Sequence, residues 1–182
     1  QPLQKYITDC LTETAKDAIK KAGIQGGYID SSKIIVNDQD PTSGEGISLA
    51  PGSDIKIPYW YYMKSANTCE SQCEFSTKQP QLYRGGGLGD SLEEQIDIYV
   101  EQKISSCLSE FSSFRTQGYS IEESKIKAFT TIAKTEVFVQ LDYPLKITRE
   151  GTVQSMSKFT GRVQVSLGKF YDLATELTES EA

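Results

Sequence analysis

Two cysteines sit inside nearly the same phrase: Cys10-Leu11-Thr12-Glu13 and Cys107-Leu108-Ser109-Glu110. Each falls on an apolar stripe of helical period. The first stripe runs Leu3, Ile7, Cys10, Leu11, Ala15, Ala18, Ile19 and Ala22. The second runs Leu92, Ile96, Tyr99, Val100, Ile104, Cys107, Leu108 and Phe111. Apolar residues every three or four positions put one face of each helix into a core. A cysteine on both faces lets a disulfide join the helices there. Closing a loop of that length stabilises a fold by about 4.7 kcal/mol in the chain-entropy model. The alternative is two buried free thiols behaving as small hydrophobes. A disulfide requires oxidising surroundings and points away from a reducing cytosol.

The other two cysteines, Cys69 and Cys73, form a Cys-x-x-x-Cys pair in a polar loop. A pair with no second pair nearby does not complete a tetrahedral zinc site, and the chain has no histidine to help. The reading is a local staple; the alternative is a redox-active pair, although catalytic thiols more often read Cys-x-x-Cys. No metal and no cofactor is expected.

The missing histidine also removes the Ser-His-Asp and Cys-His arrangements and the commonest general base. No residue can be named as catalytic. A net charge of −6 with scattered basic residues disfavours nucleic acid as a partner. No stretch has the roughly 20 apolar residues of a membrane span. Entry into a helical pattern directly after Gln1-Pro2 fits a start just behind a removed export signal or membrane anchor.

The 182 residues suit one domain, 1–182, with long loops over 37–56 and 64–90. Lys33-Ile34-Ile35-Val36 and Ile55–Met63 read as strands. Ser91-x-x-Glu94 is a capping box that opens the second helix, and that helix is expected to end near Ser112. The Gly-rich run Arg84 to Ser91 ahead of it lacks the Gly-Lys-Ser/Thr of a phosphate loop and reads as a linker. From Tyr119 the period becomes two, with alternating runs joined by Ala133-Lys134-Thr135 and Glu150-Gly151-Thr152. This predicts an antiparallel meander. A last helix over Leu167–Leu177 is expected to turn Phe170, Leu173, Ala174 and Leu177 inward, with 178–182 frayed. The fold class is therefore α+β: an antiparallel sheet with helices on one face, in two layers.

The aromatic run Tyr59-Trp60-Tyr61-Tyr62 holds the only tryptophan. On a strand, Tyr59 and Tyr61 face one way and Trp60 and Tyr62 the other. One pair would enter the core, and the other would offer a stacking platform. These four are the candidate binding residues. Asp38, Asp40 and Glu45 come nearest to a calcium set but lack the EF-hand pattern.

Gly23-Ile24-Gln25-Gly26-Gly27-Tyr28-Ile29, Ile57-Pro58-Tyr59-Trp60-Tyr61-Tyr62 and Asp142-Tyr143-Pro144-Leu145 resemble stretches of uncharacterised exported proteins of archaea. The resemblance implies an extracytoplasmic domain on a membrane tether and transfers no catalytic residue. The first expectation is a non-catalytic cell-surface domain that binds a protein or glycan through Tyr59–Tyr62. One alternative is a carboxylate-dependent hydrolase of envelope polymers. Another is a thiol–disulfide protein using Cys69 and Cys73.

Overall fold

The computed structural model describes residues 2–85 and 91–181. Three long helices, α1 (Pro2–Ile24), α2 (Leu92–Leu108) and α4 (Leu167–Glu181), accompany a one-turn α3 (Ser112–Arg115). The main sheet holds β5 (Ser120–Glu123), β6 (Lys127–Ile132), β7 (Glu136–Arg149) and β8 (Thr152–Gln164). Two small two-stranded sheets lie between α1 and α2. They pair β1 (Gly46–Ser48) with β2 (Lys56–Pro58), and β3 (Tyr62–Met63) with β4 (Phe75–Ser76).

All pairs of the main sheet are antiparallel. β7 alternates without a break: Val137, Val139, Leu141, Tyr143, Leu145 and Ile147 are buried, and every second residue between them points away from the core. α1 lies over β8 and α2 over β6, so the apolar face of the sheet meets the apolar stripes of both helices. Gly161 on β8 makes room for α1, because a Cβ there would stand 3.1 Å from Leu11 Cγ.

The sheet is not a simple meander. β6 pairs with the first half of one edge of β7, from Val137 to Asp142, and β5 pairs with the second half, from Leu145 to Thr148. Six residues of β6 cannot cover fourteen of β7, so β5 fills the vacant stretch. The opposite edge of β7 takes β8 along its full length. Glu150 and Gly151, with φ of +49° and +81°, form the tight turn of that hairpin; left-handed residues at both central positions match the twist of the strands.

The two helices run antiparallel in the register that the cysteines set. Cys10 is bonded to Cys107, with Cα atoms 5.7 Å apart, and two turns away the Tyr99 hydroxyl donates to Asp17. The Tyr6 hydroxyl donates to the carbonyls of Cys107 and Leu108 and so satisfies the end of α2. α2 stops at Leu108 rather than near Ser112. Ser109, Glu110 and Phe111 are all left-handed, with φ of 47°, 52° and 54°. That reversal drops Phe111 into the core beside Tyr143. The capping box is formed: Ser91 Oγ accepts from the Glu94 N–H, and the Glu94 carboxylate accepts from the Ser91 N–H. Gly86 to Asp90 of the predicted linker lie outside the described residues.

Three further expectations are corrected. Residues 33–36 form no strand, only a single parallel bridge from Val36 to Gly46. The stretch 55–63 is two short strands separated by a bend at 59–61. α4 continues to Glu181 and leaves Phe170, Leu173 and Leu177 exposed, because its inner face is formed by Tyr171 and Thr175.

Candidate functional site

Residues 25–85 gather where α1 ends and α2 begins. Hydrogen bonds tie this layer to the helices. Gln95 Oε1 accepts from the Ile29 N–H at 2.9 Å, and Gln25 Nε2 donates to the carbonyls of Tyr28 and Ile29. The layer stands away from the outer surface of α2 and leaves a groove of about 550 Å³. Tyr28, Ile29, Asp30, Lys33, Ile34 and Lys78 form one wall; Gln95, Ile98, Tyr99, Gln102 and Lys103 form the other. Tyr99 lies at the edge of the apolar stripe of α2; the rest of that wall is the face the stripe leaves to solvent, which is why it combines amides, a lysine and an exposed isoleucine.

The charges of the groove are held in place. Lys78 pairs with Glu45 at 2.9 Å, and its ammonium pKa rises, first because of that hydrogen bond. Tyr28 donates to the Lys78 carbonyl. The Tyr99 hydroxyl is pushed up to about 12, chiefly by burial and then by its bond to Asp17. Asp30 is held below its ordinary pKa by hydrogen bonds from the Ser32 hydroxyl and N–H. Lys33 and Lys103 make no salt bridge among the described residues. The lining carries three lysines and one carboxylate, and the charge of Lys78 is balanced by Glu45 behind it.

The four aromatic candidates are dispersed by the bend at 59–61. Trp60 Nε1–H donates to the Gly26 carbonyl at 2.9 Å, and its ring packs on Tyr171 of α4 with centroids 5.2 Å apart. Tyr59 donates to the Pro41 carbonyl, and burial raises its pKa. Tyr62 donates to Glu45, the partner of Lys78. Tyr61 points out: it is 40% exposed and stacks parallel on Phe75, itself 52% exposed. The Cys69–Cys73 disulfide closes the loop between β3 and β4 that presents this pair.

Of the four residues that sequence reasoning offered, Tyr61 is the exposed one, and the groove was not foreseen. Its α2 wall was legible as the polar side of a helix; its other wall depends on how an irregular loop returns. Of the acidic residues considered for calcium, Asp40 accepts from Thr42 and Asn67, and Glu45 is committed to Lys78.

Away from the groove, Glu93 is buried and fully used. It accepts from the N–H groups of Ile132 and Arg84 and locks the entry of α2 to β6. One turn on, Asp97 pairs with Arg84, whose guanidinium lies 3.9 Å over the Phe129 ring. Burial raises Asp97 to about 6, tempered by Thr130 and Arg84. Asp97 Oδ1 and Thr130 Oγ1 are buried without a hydrogen-bond partner among the described residues.

Comparison with protein-family models, with curated proteins and with solved structures finds no match to this chain. Both disulfides are formed, and no described helix is long and apolar enough to cross a membrane.

Proposed function

We propose that this chain is a non-catalytic, exported recognition domain that holds a glycan in the groove between residues 28–34 and α2. The observation that carries the reading is the groove itself: a preformed concavity with tyrosines, amides and lysines on facing walls. Tyrosine faces pack on the C–H faces of sugar rings, while amide and ammonium groups hydrogen-bond their hydroxyls. The ordered hydrogen bonds of both walls reduce what binding must spend on ordering them. Two disulfides support an oxidising compartment for this work.

Asp30 is the lone carboxylate among the lining residues. Glycoside hydrolysis uses two facing carboxyl groups, so the lining favours binding over the hydrolase alternative. The disulfide alternative is less well supported: Cys69 and Cys73 close a short loop on an exposed hairpin, with Lys64 and Glu74 paired across its base.

A second reading, a protein partner, is favoured by the outward Tyr61–Phe75 stack on its stapled hairpin. One experiment tests the glycan reading and tells the groove from the hairpin. Amide chemical shifts are recorded while envelope oligosaccharides are titrated into the wild-type chain, Q102A/K103A and Y61A/F75A. The glycan reading expects shifts centred on residues 28–34 and 95–103, lost in Q102A/K103A and kept in Y61A/F75A. Loss only in Y61A/F75A would move the site to the hairpin; no shift with any oligosaccharide would remove the glycan reading.

A further inference from the structure

α4 presents its apolar stripe to solvent. Phe170, Leu173 and Leu177, at spacing i, i+3 and i+7, are 65%, 52% and 60% exposed. The helix is not free to roll this stripe inward. Tyr171 donates to the Pro80 carbonyl and packs on Trp60, and Gln79 Nε2 donates to Tyr171 and Thr175. The fold thus turns Leu167, Tyr171 and Thr175 inward and leaves Phe170, Leu173 and Leu177, the larger apolar stripe, facing out. A stripe fixed in that orientation marks an interaction surface.

The charges beside the stripe select the occupant. Lys169 and Glu176 are seven residues apart, hence on one flank, both exposed and without a salt bridge among the described residues. Laid antiparallel about a two-fold axis near Leu173, two copies of the stripe superpose on themselves. Phe170 of each faces Leu177 of the other, and Leu173 meets Leu173. The same operation sets Lys169 of each copy across from Glu176 of the other, giving two reciprocal ion pairs. A membrane surface fits less well, because Asp172, Glu176 and Glu179 give α4 three described carboxylates against one lysine, and anionic headgroups repel them.

We propose that α4 pairs antiparallel with α4 of a second copy of this chain, with Phe170, Leu173 and Leu177 as the seam and Lys169–Glu176 as the register. One exposed helical stripe per copy is small for an interface, so the pairing is weak and needs high local concentration.

The test is sedimentation equilibrium of the 182-residue chain from about 10 µM to 1 mM, the range where a small interface dissociates. The wild type is expected to show a reversible dimer. K169E and E176K alone each convert two attractions into two repulsions, and each is expected to weaken it at least about tenfold. K169E/E176K restores both pairs with signs exchanged and is expected to return within about threefold of wild type. Both positions are exposed, so thermal melts of all four chains should coincide. A monomer throughout the range overturns the proposal, as does a double variant no tighter than the singles. A wild-type chain that stays monomeric but co-sediments with phosphatidylcholine vesicles assigns the stripe to lipid and overturns it too.

Discussion

At the scale of single residues, buried polar groups carry more of the architecture than the composition suggests. Asp97 has the clearest pH signature. Its carboxyl titrates at about 6 in the folded chain against 3.8 ordinarily, because burial disfavours the charged form. The folded state therefore holds that proton more tightly than the unfolded one. The contribution is fully present below pH 3.8 and is lost as pH rises through about 6. Urea unfolding at pH 4 to 7.5 should show this decline, and D97N should flatten it, because Asn cannot titrate. An unchanged slope in D97N would place the titrating group elsewhere. Trp60 makes the opposite point. As a platform residue it could be truncated with little effect on stability, but its indole N–H is bonded to Gly26 and its ring packs on Tyr171. W60A is expected to cost about 2–4 kcal/mol in chemical denaturation, near the range for truncating a packed aromatic, whereas Y61A should cost under about 1 kcal/mol, as surface substitutions do.

At the scale of elements, what was legible followed periodicity. The stripe from Leu3 to Ala22 and the Ser91–Glu94 capping box placed α1 and the start of α2, and the period-two runs located β5 to β8. The ends failed where the chain takes a conformation its residue types do not advertise. Nothing in Ser109-Glu110-Phe111 announces three left-handed residues in a row, and the reversal exists because it buries Phe111 against Tyr143. The left-handed region is disfavoured for residues with a Cβ. Glu110 is exposed and its side chain makes no hydrogen bond or salt bridge among the described residues, so E110G should stabilise the domain by about 0.5–1 kcal/mol. Destabilisation in thermal or urea unfolding would mean that Glu110 is not strained. The inverted setting of α4 was illegible for a related reason. Pattern alone sends Phe170, Leu173 and Leu177 inward, and only the contacts of Gln79, Pro80 and Trp60, distant in sequence, turn them out. The candidate groove was hidden likewise, since one of its walls is an irregular layer whose path no period describes.

At the scale of the whole molecule, the disulfide between α1 and α2 joins two helices that cover opposite halves of one sheet. It sets their register and supports the oxidising compartment that the proposed reading requires. Removing it as C10A/C107A should cost about 2–5 kcal/mol, the usual range for a native disulfide of a small domain. The Cys69–Cys73 staple closes a loop of far shorter span, so C69A/C73A should cost much less and act locally on the Tyr61–Phe75 hairpin. The most direct test is mass mapping of proteolytic peptides from the unreduced chain, alkylated on denaturation and recovered from the compartment in which it is made. The account predicts one linked peptide pair joining Cys10 to Cys107, a closed Cys69–Cys73 loop and no alkylated thiol. Four alkylated cysteines, or Cys10 and Cys107 each joined to the hairpin, would contradict it.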